Sequence, residues 1–172
     1  MVPALPESSV RRLIPMILLS GCLFTADRVE PRAAGNLEAR SSAEFFSLFQ
    51  QAYETRSVGL LSRLLAEDYE FQADPASVSD PSMSSWGYDQ ELSRHQKMFQ
   101  AISDVNLLVH SDAPQPTDVP AESTWHVSTL YMSLFIQDTF YEIAGQADFR
   151  LRVVPQPDGG SRYKLVRWTD RN

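Results

Sequence analysis

Imidazole is the one side chain whose ordinary pKa lets it trade a proton near pH 7, so the three histidines are where chemistry would first be sought. His95 sits on an apolar stripe: counted from Leu92, His95, Phe99 and Ile102 lie three, seven and ten residues on, and Tyr88 extends the stripe four residues back. An inward imidazole needs a hydrogen-bond partner. It is either a satisfied core histidine or an acid, base or donor at a pocket, and without an assignable carboxylate partner the inventory favours the first. His126, between Trp125 and Val127, takes the sheet face that Trp125 does not, with its direction left open. His110 ends a strand before a polar loop and is expected to be exposed. The three lack the close His-x-x-x-His type of spacing that a metal site uses, so no metal and no cofactor is expected. The sequence also has no Gly-rich phosphate loop, no Gly-x-Ser-x-Gly elbow and no basic aromatic patch.

The lone thiol, Cys22, stands in the stretch "RRLIPMILLSGC". Two arginines, a short apolar run and small residues before a cut site are the features of a secretion signal, and the run is too short for the ~20 residues of a membrane span. Residues 1 to 21 are therefore predicted to be a signal peptide. Leu19-Ser20-Gly21-Cys22 resembles the lipobox of bacterial lipoproteins. The resemblance implies a diacylglyceryl thioether on the Cys22 sulfur, cleavage before Cys22 and a membrane attachment through that lipid. With Leu23 rather than aspartate after the cysteine, it further implies a periplasm-facing outer-membrane location.

Composition narrows the partners. The formal net charge is -7, and loss of Arg11, Arg12 and Glu7 with the signal peptide takes it to -8. Such a chain repels nucleic acid and anionic surfaces. A hydrophobic fraction of 43% is enough for one packed core, and a single cysteine excludes disulfides within the chain.

Residues 22 to 40 read as a tether, mixed in charge with proline and glycine. Order is predicted to start at Ser41, because "SSAE" has capping-box spacing and Phe45, Leu48, Phe49 and Ala52 follow at helical period. Ser57 caps a second short helix that turns Leu60, Leu61, Leu64 and Leu65 inward, and "DYEFQ" then alternates as a strand. Residues 72 to 87 form a long loop rich in serine and proline. The third helix carries the His95 stripe. After it come the strand "VNLLVH", a proline-rich connection, the long strand "STWHVSTLYMSLFI" and a short turn at 137 to 139. "FYEIAGQADFRLRVV" puts Ile143, Ala147, Phe149, Leu151 and Val153 on one face, "PQPDGG" turns the chain, and "RYKLVRWTD" is the last strand.

Helix, helix, strand, helix and then long antiparallel strands make an α+β domain, with about three helices packed on a cone-shaped, curved antiparallel sheet. On "LLAEDYEFQADP", the helix ending in "HQKMF" and the final "YKLVRWTD", residues 42 to 172 resemble the nuclear transport factor 2-like superfamily and its SnoaL-like members. The domain is assigned to residues 41 to 172. The resemblance implies an apolar cone that some relatives, such as ketosteroid isomerase, scytalone dehydratase and polyketide cyclases, use for catalysis and others only for binding. Tyr53 and Asp74 stand roughly where a pocket tyrosine and a base could stand, but no motif matches and no family role carries over to them. Trp86, Tyr131 and Trp168 could line the cone, although aromatics in so small a domain more often fill a core.

Two functions are expected in order: a non-catalytic, lipid-anchored envelope domain that binds a small apolar molecule or an envelope protein, then an isomerase, dehydratase or cyclase working in the cone. The first leads because tuned acid-base chemistry needs a carboxylate or histidine in the cavity, and only His95 is placed inward. Pairing of the chain with itself stays open.

Overall fold

A computed structural model describes residues 37 to 171. The signal segment, Cys22 and the tether as far as residue 36 lie outside the described residues.

The chain is already packed ahead of the first helix: Ala39 is buried, its carbonyl accepts the Tyr163 amide at 2.8 Å, and Glu38 pairs with Arg162. Helix α1 spans Ser42–Glu54, and the Ser41 hydroxyl accepts the Glu44 amide as a capping serine should. The Glu44 carboxylate reaches back one residue further than a standard box and takes the Arg40 amide. Arg56, at φ 50, turns the chain through the left-handed region, and its guanidinium holds the Ile102 and Ser103 carbonyls. Ser57 then caps α2 (Val58–Leu64), which runs directly into strand β1 (Leu65–Gln72), so Leu65 opens the strand and does not close the helix.

The long loop is more ordered than its composition suggests. It contains a single 3₁₀ turn, Pro81–Met83, and a short strand β2 (Ser85–Gly87) that pairs back on β1, Phe71 opposite Trp86. Helix α3 (Tyr88–Ala101) follows and stops where Ile102 starts β3 (Ile102–Ser111), so the stripe's last member is a strand residue. A two-residue strand β4 (Gln115–Pro116) interrupts the proline-rich connection. The long strands are β5 (Glu122–Ile136), β6 (Thr139–Pro155) and β7 (Ser161–Arg171).

The sheet order is β2-β1-β7-β6-β5-β3, with β4 beside β5. Every pairing is antiparallel except β1 with β7, which is parallel, so the sheet is mixed. Irregularities in register at Val127/Leu130, at Arg150/Leu151 and in β1 let the long strands bend. Side-chain alternation divides the sheet. Trp125, Val127, Ala147, Phe149, Leu151 and Leu165 are buried against Phe45, Phe49, Leu61 and Leu64 of the helices. On the other face stand Glu122, Thr124, His126, Asp148, Arg150, Arg152 and Arg167. Ile143 shares the parity of Ala147 and Phe149 but lies beyond the helices and is 51% exposed, contrary to the inward place its spacing predicts.

Candidate functional site

A cluster of polar side chains is buried where α1, β1 and α3 meet. The last turn of α1 supplies Tyr53, β1 supplies Tyr69, β2 supplies Trp86, and α3 supplies Glu91 and His95 one turn apart. Tyr53, Tyr69, Glu91 and His95 are each less than a tenth exposed. His95 is bonded on both ring nitrogens. Its Nδ1 lies 3.0 Å from the Glu91 carbonyl, which can only accept, so Nδ1 carries the proton. Nε2 is then the acceptor for the Tyr53 hydroxyl at 2.6 Å. With the ring neutral, these bonds select one tautomer and the direction of the Tyr53 proton.

Glu91 closes the cluster. One carboxyl oxygen accepts the Trp86 indole N–H and the other lies 3.4 Å from His95 Nδ1. The expectation that His95 has no carboxylate nearby is thereby corrected: a glutamate four residues earlier on the same helix face was in the sequence, hidden because glutamate on a helix is ordinarily solvated. Tyr69 carries no signal in the sequence beyond the strand face it shares with Phe71. Burial first, then the Glu91 charge, pushes the Tyr53 hydroxyl well above its ordinary pKa, and the same two causes push Tyr69 up. The Tyr69 hydroxyl is directed toward Glu91 but completes no hydrogen bond. Around these groups the walls are aromatic: Tyr53 packs edge-on to His95 and Phe99 and tilts against Phe49, which meets Phe149 and Trp168. Trp86 stacks on Phe71 at 3.9 Å, with the Arg94 guanidinium over its other side.

The structure thus brings together Tyr53, Trp86 and His95, and leaves three candidates elsewhere. Asp74 lies past the end of β1, where its carboxylate accepts the Ala76 amide in a turn and faces Asp170. His126 is on the sheet face away from the helices, 3.0 Å from Asp148. Tyr131 is out on the β5–β6 arms, its hydroxyl on the Glu142 carboxylate. His110 is exposed, and no group of metal ligands forms among the described residues.

No family model matches this sequence, and no curated protein matches it. Solved structures do. A conserved protein from Planctomyces limnophilus superposes with a TM-score of 0.59 at 16% identity, over 74% of this chain and 89% of its own. A nuclear transport factor 2-like protein of Rhodospirillum rubrum, of unknown function in nutrient uptake, gives 0.55 at 13% identity over 76% and 96%. A Streptomyces avermitilis protein of the same family, proposed to be a dehydratase, gives 0.53 at 14% over 74% and 90%. Identities this low speak for the fold alone, and with three helices on one face of a curved mixed sheet, that fold is the nuclear transport factor 2-like one.

Proposed function

We propose that this chain is a non-catalytic binding domain of nuclear transport factor 2-like fold, held at the bacterial cell envelope by lipid on Cys22. The observation that supports it is the closure of the polar cluster: His95 has both nitrogens engaged, its carboxylate neighbour is held by Trp86, and aromatic rings surround the set. A catalytic acid or base must reach a substrate proton. Here the proton-bearing groups reach one another, which orders α1, β2 and α3 about a common point. The domain then works through its surfaces, toward a small ligand or an envelope protein.

An isomerase, dehydratase or cyclase is the second reading. It is favoured by the buried Tyr69 hydroxyl directed at the Glu91 carboxylate, a second acid group beside His95 whose geometry completes no hydrogen bond. His95→Gln separates the two. The amide keeps hydrogen-bonding capacity but cannot exchange a proton near neutral pH. A structural role predicts a melting temperature lower by about 3 to 10 °C, from roughly 1 to 3 kcal/mol of lost hydrogen bonding. A catalytic role predicts unchanged melting with loss of a wild-type turnover found among enol-forming and hydroxylated substrates. That second pattern would reverse the order of the two readings.

A further inference from the structure

The sheet face turned away from the helices carries four arginines and four carboxylates whose pairing is uneven. Arg152 takes two acids: its Nε bonds Glu122 at 2.7 Å and its two terminal nitrogens bond Asp68 at 3.0 and 2.9 Å. Asp148 is shared by Arg171 and His126. Glu70 lies 3.0 Å from Arg167. Among the described residues Arg150 has no hydrogen bond and only two loose ion pairs at 3.8 Å, one to Glu122, already committed to Arg152, and one to Asp118, itself 91% exposed.

Register makes this arrangement costly. Arg150 on β6 and Arg167 on β7 are directly opposite each other, and like charges in that position destabilise a sheet. The Arg167 Nε is buried and has no acceptor. Between the two side chains is a hollow of about 130 Å³, walled also by Thr124, Thr169 and Asp148. It adjoins a second hollow of about 200 Å³ that shares both arginines and is walled also by Arg152 and by the carboxylates Asp68, Glu70 and Glu122, which Arg152 and Arg167 pair. Two facing guanidinium groups and two threonine hydroxyls supply donors around a space the size of a small ion. Asp148 is the one acid on the smaller hollow's wall, and its charge is answered by Arg171 and His126.

We propose that the Arg150–Arg167 hollow binds a tetrahedral oxoanion, a phosphate or sulfate group, with the larger hollow taking the rest of a soluble molecule that bears it. Bidentate guanidinium contacts are the strong, orienting ones for such groups. The anion removes the repulsion between the two arginines and gives the Arg150 guanidinium the close acceptors it lacks. A net charge of -7 disfavours an anionic bilayer as the source and favours a free anion.

The test uses the full chain, with inorganic phosphate and sulfate titrated calorimetrically against chloride at equal ionic strength. Saturable binding is expected, with a rise in melting temperature that follows occupancy. Arg150→Ala is expected to weaken binding about tenfold or more, and Arg150→Lys to weaken it less, since charge survives without the fork. In chloride, Arg150→Ala should melt no lower than the wild type, and Lys97→Ala on α3 should bind as the wild type does. If the alanine variant does not fold, Arg167→Lys carries the same comparison. Vesicles of phosphatidylglycerol and of phosphatidylcholine form a second arm: capture by the first alone, competed by phosphate, would keep the site and make a headgroup its ligand. Absence of saturable binding to phosphate, sulfate and phosphatidylglycerol would overturn the proposal. So would equal affinities for wild type and both Arg150 variants, or a phosphate-insensitive self-association that Arg150→Ala abolishes, which would assign the hollow to a second copy's carboxylate.

Discussion

Two buried tyrosines of this domain differ in one respect, and the difference can be measured. The Tyr53 hydroxyl donates to His95, whereas the Tyr69 hydroxyl has no hydrogen bond. Tyr53→Phe leaves an imidazole acceptor unpaired in the core and should cost about 1 to 3 kcal/mol. Tyr69→Phe removes a desolvated group that gains nothing, and should be neutral or stabilising in urea titrations. A loss at Tyr69 equal to that at Tyr53 would show that Glu91 is its partner after all. Alkali gives a second reading. Both hydroxyls have pKa values raised above the ordinary 10, so below pH 10 both chains, folded and unfolded, hold these protons and stability is unaffected. Above pH 10 the unfolded chain releases protons that the folded one retains, and stability falls with a slope approaching about 2.7 kcal/mol per pH unit for two groups. Either phenylalanine variant should halve that slope. Of this site, the sequence made His95 legible through its helical stripe, and placed Tyr53 only loosely. Glu91 was not legible, because the type of residue argued for solvent and only the packing of β2 across α3 brings Trp86 over it.

Helix α3 is the element on which the register argument can be checked. Phe99 is 6% exposed and touches both Tyr53 and His95, so Phe99→Ala should cost about 3 to 5 kcal/mol, while Gln96→Ala on the solvent side should be nearly neutral. Equal denaturant midpoints for the two would contradict the register. The first two helices were legible because period and caps agree, Ser41 and Ser57 both accepting the amide three residues on, and α3, which has no side-chain cap, was legible from its stripe. The last three long strands were legible in the same way, from alternation and from a turn at Gly159, whose φ of +81 only glycine adopts freely. What alternation does not carry is the identity of a neighbour. It assigns faces, and a strand such as β1 can satisfy its faces beside a parallel or an antiparallel partner. The β1–β7 pairing brings together segments about a hundred residues apart, and α2 packs against both strands. Ile143 failed for a related reason: its face was read correctly, but no helix extends over that part of β6.

Taken together, the chain has an acidic exterior and a core that stands without a disulfide, and it carries an anchor that we propose at its amino-terminal end. A net charge of -7 disfavours adsorption to anionic bilayers, and we propose that attachment to the membrane is covalent. A thioether lipid suits that role, because one acyl chain gives only reversible binding and a diacylglyceryl group supplies two. Cys22→Ser is the direct test. Serine preserves size and polarity but offers no thiol for the transfer, so labelled fatty acid should enter the wild type and not the variant, and the precursor should remain uncut. Fractionation supplies the rest: the wild type should sediment with outer membranes and resist extraction by high salt, which releases charge-bound proteins but not lipid-bound ones. Label persisting in Cys22→Ser would remove the anchor. A wild type found with the inner membrane would keep the anchor and overturn the sorting read from Leu23. Because residues 37 to 40 already pack on β7, the proposed anchor would be joined to the domain by no more than the 14 residues from Leu23 to Asn36. Fully extended, that length reaches about 45 to 50 Å, so a domain held this way works close to the membrane surface.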